Sequence, residues 1–163
     1  MREPLLVALE AANLAGRIIK EKIGSITTED ITQKSISDYV TEVDVDSEKT
    51  IIEHIKKYFP HHQIMAEESS NSYKKAEYLW IIDPLDGTTN FIHGFPIVAI
   101  SIALMYKGEF IIGVVYDPAR DELFYAEKGK GAFLNGRKIK VSSLTEPALS
   151  LIATGFPFRN KQY

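Results

Sequence analysis

Two aspartates set three residues apart, Asp83 and Asp86, carry the clearest chemical signal in this sequence. Asp83 ends an apolar run at residues 80–82, which has the β-branched and aromatic composition of a buried strand. Pro84 disfavours a helical conformation for the residue before it, so Asp83 stays on the extended segment. Asp86 is a residue type that commonly caps the start of a helix. The pattern therefore predicts a strand that delivers carboxylates to a helix start.

The residues after Asp86 are suited to bind an anion. Gly87, Thr88 and Thr89 would offer unpaired backbone N–H groups and two hydroxyls at the positive end of a helix. Two carboxylates beside an anion site make chemical sense when a cation lies between them and the anion. We therefore expect a metal ion that carries a phosphate group.

A second pair of acids, Glu67 and Glu68, follows another short apolar run at residues 63–66. Adjacent acids most often form a solvated edge, but a second strand that ends in acids would supply a partner for the first. The candidate donors are all oxygens, which favours Mg²⁺ or Mn²⁺ over zinc. They are the side chains of Glu67, Asp83 and Asp86 and the backbone carbonyl of Leu85.

Metal activation of a bound water makes hydrolysis of a phosphate ester the expected reaction. Thr88 could orient that water, and Asp44 could accept its proton if the fold brings the two residues together. Glu68 is a further catalytic candidate. Two simpler interpretations stay open. Asp44 and Asp46 would complement the dipole of a helix that begins near them, and an Asp-Pro-x-Asp-Gly turn is common at protein surfaces.

The four histidines, His54, His61, His62 and His93, have no metal-ligand spacing. His61 and His62 follow a proline and are better explained as part of a polar turn. His93 is close in sequence to the expected anion site, so it is the one histidine that we consider for substrate contact.

The composition narrows the class of partner. The 163 residues have a formal net charge of −3 and no long basic run, so we expect neither general nucleic-acid binding nor binding to a membrane. The chain has no cysteine, so a metal must use oxygen or imidazole ligands, and a reducing compartment would suit it. No apolar run reaches the roughly 20 residues that span a bilayer. We expect a cytoplasmic protein that acts on a small molecule.

Helical and strand patterns place these residues in an α+β fold. The spacing predicts a first helix that begins near Pro4 and ends at Gly24, and a second helix over residues 44–58. The second helix has a predicted apolar stripe of Val45, Ile51, Ile52, Ile55 and Phe59. Strands are predicted at residues 63–66, 78–82, 98–106, 110–116 and 122–126, and a hairpin turn at Asn135-Gly136. We expect two N-terminal helices packed on a mostly antiparallel sheet.

Three segments stand out together. They are Asp-Tyr-Val-Thr-Glu-Val-Asp at 38–44, Ala-Glu-Glu-Ser at 66–69 and Asp-Pro-Leu-Asp-Gly-Thr-Thr-Asn-Phe at 83–91. They closely resemble the inositol monophosphatase family of Mg²⁺-dependent, Li⁺-sensitive phosphatases. The likeness runs over nearly the whole chain, since residues 113–118 and 129–136 also resemble the later strands and turn of the family. It implies a sandwich of the inositol monophosphatase and fructose-1,6-bisphosphatase type.

The resemblance implies a role for each candidate residue. The implied metal ligands are Glu67, Asp83, the Leu85 carbonyl and Asp86. The implied substrate-binding residues are Asp86, Gly87, Thr88 and Thr89. Thr88 and Asp44 match the pair that activates the water, and Lys34 resembles a lysine in a mobile loop near a weaker metal.

The resemblance also implies domain boundaries, partners and substrates. Family members continue into a second α/β domain, so we expect residues 1–148 to form the metal-binding domain and residues 149–163 to begin a truncated C-terminal α/β domain that is otherwise absent. A homodimer is expected. The expected substrate is inositol monophosphate or a similar sugar phosphate, with fructose 1,6-bisphosphate or the 2′-phosphate of NADP as alternatives. A regulatory binding protein that retains the phosphatase fold is the alternative from another class.

Overall fold

A computed structural model describes residues 2–25, 31–35, 38–69 and 75–153, and its elements confirm the predicted α+β class. The α-helices of the described chain are α1 (Pro4–Lys22), α2 (Glu42–Tyr58) and α3 (Thr88–Ile92). The strands are β1 (Ile31–Ser35), β2 (Asp38–Thr41), β3 (Gln63–Ala66), β4 (Tyr78–Asp86), β5 (Ala99–Tyr106), β6 (Glu109–Asp117), β7 (Glu122–Glu127), β8 (Gly131–Leu134) and β9 (Arg137–Ile139). A short 3₁₀ turn follows at Pro147–Leu149.

Strands β3 to β9 form one seven-stranded sheet in chain order. β3 pairs parallel with β4, and the other neighbours in this sheet pair antiparallel, so the sheet is mostly antiparallel as predicted. β1 and β2 form a separate antiparallel hairpin before α2. The predicted turn at Asn135-Gly136 joins β8 to β9, and both residues have left-handed backbone angles, with φ of 48° and 80°.

The core lies between α1, α2 and one face of the sheet. In β5, Ile100, Ile102 and Leu104 alternate with less buried residues and are fully enclosed. α1 presents small residues to this core, and a Cβ on Gly16 would lie only 2.3 Å from Cε1 of Tyr116 in β6. The close packing of α1 on the sheet therefore depends on the absence of a side chain at Gly16.

The buried face of α2 differs from the predicted one. Val45 is 50% exposed, so its place in the predicted apolar stripe is wrong. Asp44, Ser47 and Glu48 are instead at most 3% exposed and lie on the helix face that continues to Ile51. The periodicity of apolar residues missed this face because polar side chains, which find hydrogen-bond partners, occupy its first two turns.

α2 also begins two residues earlier than predicted, at Glu42, because Thr41 and Asp44 form a capping box. The hydroxyl of Thr41 accepts a hydrogen bond from the N–H of Val43 at 3.2 Å. The N–H of Thr41 donates in turn to Oδ2 of Asp44 at 2.8 Å. The capping box therefore gives the N–H groups of Thr41 and Val43 hydrogen-bond partners within the chain.

None of the helices in the described part of the chain is long and apolar enough to cross a membrane. Residues 150–153 are exposed and form no helix or strand, and residues 154–163 lie outside the described residues. The predicted domain boundary between residues 148 and 149 stays a prediction.

His62 joins the end of α2 to β4 through its imidazole ring. The ring stacks on Tyr78 with centroids 4.4 Å apart, and Nδ1 accepts a hydrogen bond from Nε1–H of the fully buried Trp80 at 3.1 Å. Burial, followed by the charges of Lys56 and His61, lowers the pKa of His62 from its usual 6.5. The contact with Trp80 requires Nδ1 to be unprotonated.

We expect the free energy of unfolding to decrease as the pH falls from above 6.5 through the lowered pKa of His62, because the unfolded imidazole takes up a proton more readily than the folded one. The single tryptophan, Trp80, reports unfolding in a denaturant series at pH 5 to 8. His62→Gln should remove this pH-dependent loss, and His93→Gln, which removes an exposed imidazole, should keep it. An unchanged pH dependence in His62→Gln would contradict the assignment.

Candidate active site

β4 extends further than the sequence predicted, through Asp83 to Asp86. Its pairing with β5 shifts register between these two aspartates, which marks an irregular segment rather than a strand end. Gly87 then turns the chain into α3 with a φ of 92°, a left-handed angle that favours glycine. The predicted role of Asp86 as the helix cap is wrong, because Gly87 is the N-cap of α3.

The parallel pairing of β3 and β4 brings Glu67 beside Asp83. The N–H of Glu67 donates to the carbonyl of Ile82 at 3.3 Å, which places Glu67 next to the end of β4. Burial raises the pKa of Asp83 to about 7, and the charges of Glu67 and Asp86 act in the same direction. The N–H of Leu85, which donates to Oδ1 of Asp83 at 3.3 Å, opposes this rise.

The donor set fits a hard divalent cation in its chemistry and charge. Glu67 and Asp86 are exposed at the site and Asp83 is half-buried, so the carboxylates are open to an incoming ion. Burial, followed by the charges of Glu67 and Asp86, raises the pKa of Asp83, and a bound cation would favour the charged form of these acids. Among the described residues no three His, Asp or Glu side chains already form a metal-binding cluster. Binding would therefore require these carboxylates to rearrange around the ion.

Thr88, the first residue of α3, contacts Asp44 of α2. Its hydroxyl donates to Oδ1 of Asp44 at 3.0 Å and lies 3.1 Å from the carbonyl oxygen of Leu85. Oδ2 of Asp44 accepts the N–H and the hydroxyl of Thr41, at 2.8 and 2.6 Å. The hydroxyl that the sequence predicts to orient a water therefore adjoins both the predicted proton acceptor and a predicted metal ligand.

Two further residues of α2 hold the segments that carry the acids. Oγ of Ser47 donates to the carbonyl of Pro84 at 2.9 Å. Oε2 of Glu48 accepts the N–H of Glu68 at 2.7 Å. Sequence reasoning missed both residues. The available signal was the occurrence of two polar residues one turn after Asp44, on the face that leads to the apolar part of the helix.

The remaining candidates are exposed, or their side chains lie outside the described part of the structure. Thr89 and His93 are exposed, and His93 directly follows α3. Asp46 is exposed on the opposite side of α2 from the site residues. Lys34 lies in β1, and its side chain is outside the described part of the structure.

The fold is shared with a solved IMPase of Thermotoga maritima, which superposes with a TM-score of 0.79 at 41% identity over 85% of this chain and 54% of that one. The chain is 48% identical to Nus factor SuhB of Pseudomonas aeruginosa, over 99% of this chain and 61% of that protein. It is 49% identical to inositol monophosphatase 3 of Solanum lycopersicum, over 91% and 56%. The chain belongs to the inositol monophosphatase family, whose model matches residues 1–163.

The family that the three sequence segments indicated is thereby confirmed. The chain spans about three fifths of the length of these two curated relatives, with 61% and 56% of each covered.

Gly87→Ala should destabilise the protein more than Gly108→Ala. Both glycines have left-handed backbones, with φ of 92° and 88°, so alanine at either position costs about 1–2 kcal/mol of stability. At Gly87 a Cβ would also lie 2.9 Å from the carbonyl oxygen of Ile97, whereas nothing lies within 4 Å at Gly108. Urea unfolding of both variants measures the difference, and equal losses would contradict the close contact at Gly87.

Proposed function

We propose that the full-length protein is a metal-dependent phosphomonoesterase that hydrolyses inositol monophosphate or a similar sugar phosphate. The observation that carries the proposal is the hydrogen bond from Thr88 to Asp44, next to the Leu85 carbonyl. The predicted water-activating pair therefore lies next to the Leu85 carbonyl, a predicted metal ligand. Leu85 is located between Asp83 and Asp86 in β4. Membership of the inositol monophosphatase family supports the same class of reaction.

The metal of this proposal is Mg²⁺, with Mn²⁺ as an alternative. The residues that would hold it are Glu67, Asp83, Asp86 and the carbonyl of Leu85. When bound, the ion supplies a nucleophilic water at neutral pH and offsets negative charge on the phosphoryl oxygens. An all-oxygen donor set supports this assignment, as does the pKa of Asp83, which burial and then the charges of Glu67 and Asp86 raise.

Thr88 and Asp44 direct and deprotonate the attacking water in this proposal. Because the Thr88 hydroxyl donates to Asp44, a lone pair on its oxygen remains to accept a hydrogen bond from water. As the water attacks phosphorus, its proton passes to Oγ1 of Thr88 and the Thr88 proton passes to Oδ1 of Asp44. Glu68, adjacent to Glu67, is the further catalytic candidate.

The phosphate of the substrate would be held by Asp86, Gly87, Thr88 and Thr89. Thr89 is exposed and Gly87 and Thr88 are half-buried, so a small phosphate ester can reach this segment from solvent. We propose a small-molecule phosphate monoester as the partner. Fructose 1,6-bisphosphate and NADP are the alternative substrates, and we propose a cytoplasmic homodimer with no general affinity for nucleic acid.

A second candidate function is that of a regulatory binding protein that retains the phosphatase fold. The name Nus factor, borne by the relative from Pseudomonas aeruginosa that is 48% identical, favours this candidate. Protein partners that are captured equally by wild type and by Asp83→Asn would support it, and capture that depends on an intact Asp83 would count against it.

Asp83→Asn in the full-length protein should decrease the rate of Mg²⁺-dependent phosphate release from inositol 1-phosphate by about 10²-fold or more, because it removes a charged metal ligand. The variant is isosteric, so we expect it to fold. Asp46→Asn removes an exposed acid of α2 and should retain full activity. A parallel panel with fructose 1,6-bisphosphate and NADP identifies the preferred substrate, and phosphate release that survives in Asp83→Asn would contradict the proposal.

A further inference from the structure

Ser47 and Glu48 are neighbours on the buried face of α2, and each binds the backbone of a different acid-bearing segment. We infer that they are positioning residues that fix the backbone bearing Glu67 relative to the backbone bearing Asp83. The inference rests on the proposed metal site, because it assigns these two residues the task of holding the two backbone segments that carry the acids of that site.

Glu48 is 3% exposed, and a buried carboxylate is costly unless it is hydrogen-bonded. Its Oε2 accepts the N–H of Glu68 at 2.7 Å, in a charge-assisted bond. The N–H of Glu67 itself donates to the carbonyl of Ile82 in β4 at 3.3 Å. The backbone N–H groups on either side of the Glu67 Cα are thus held, one by the sheet and one by α2, and this fixes the direction of the Cα–Cβ bond of Glu67.

Ser47 is fully buried and performs the same task for β4. Its hydroxyl donates to the carbonyl of Pro84 at 2.9 Å. This carbonyl lies where the pairing of β4 with β5 shifts register, between Asp83 and Asp86, and the proline has no N–H to offer. A side-chain donor from α2 therefore holds the segment at the point where the regular pairing of the sheet is interrupted.

Apolar residues at these two positions of a helix that faces the core would pack at a lower desolvation cost than a serine and a glutamate. The hydrogen-bond partners of Ser47 and Glu48 explain why these positions are polar. Glu48 bonds the backbone of the residue after Glu67, and Ser47 bonds the backbone of the residue after Asp83. Residues that orient metal ligands in this indirect way typically alter metal affinity by about 10- to 100-fold when they are replaced.

The test measures Mn²⁺ binding to the full-length protein by the electron paramagnetic resonance signal of free Mn²⁺. Glu48→Met removes the acceptor and keeps the side-chain length, Glu48→Gln keeps an acceptor oxygen, and Glu53→Met makes the same change at an exposed position of α2. Ser47→Ala removes the single hydroxyl that binds Pro84. Thermal unfolding in EDTA reports the stability of each variant separately from its metal affinity.

We expect Glu48→Met to weaken Mn²⁺ binding by about 10-fold or more, Ser47→Ala to weaken it several-fold, and Glu48→Gln and Glu53→Met to retain most of the affinity. If Glu48→Met does not fold, Ser47→Ala decides, because it deletes one atom group. Wild-type affinity in a folded Glu48→Met or Ser47→Ala, or a loss in Glu48→Gln as large as in Glu48→Met, would overturn the inference. Failure of the wild type to bind Mn²⁺ would instead overturn the proposed function, and the inference with it.

Discussion

The buried carboxylate of Asp44 is the interaction on which the arrangement of the site depends. It is 2% exposed and accepts hydrogen bonds from the N–H and hydroxyl of Thr41 and from the hydroxyl of Thr88. Each hydrogen bond to a charged group contributes about 1.5–3 kcal/mol, and loss of the partners would leave a buried charge unsatisfied. One side chain therefore joins the start of α2 to the start of α3, 44 residues further along the chain.

The rest of α2 extends this arrangement. Its first turns are polar where they meet the acid-bearing segments, and its later turns, with Ile51 and Ile55, are apolar where they meet the sheet. The helix is thereby fixed to the core by hydrophobic contact while its polar end orients the loops, as expected where function is built on rigid elements. The acids themselves oppose stability, since burial and like charges raise the pKa of Asp83 to about 7, and a cation would remove that cost.

Local sequence patterns predicted the helices, most strands and the Asn135-Gly136 turn, because propensity and turn chemistry act over a few residues. They did not predict the buried face of α2, since an apolar period cannot register Ser47 or Glu48 as inward-facing. The extension of β4 through Pro84 to Asp86 was missed for a different reason. A register shift between Asp83 and Asp86 interrupts the strand pattern there. The pairing of Thr88 with Asp44 was a chemical hypothesis, because the two residues are far apart in sequence. The tertiary fold brings the Thr88 hydroxyl to 3.0 Å from Oδ1 of Asp44.

The most direct test of this account is the position of bound Mn²⁺, located by its anomalous scattering in crystals of the full-length protein. We predict a manganese peak at the carboxylates of Glu67, Asp83 and Asp86 and the carbonyl oxygen of Leu85, while Thr88 keeps its hydrogen bond to Asp44. Manganese bound elsewhere, away from Glu67, Asp83 and Asp86, would contradict the proposed metal site.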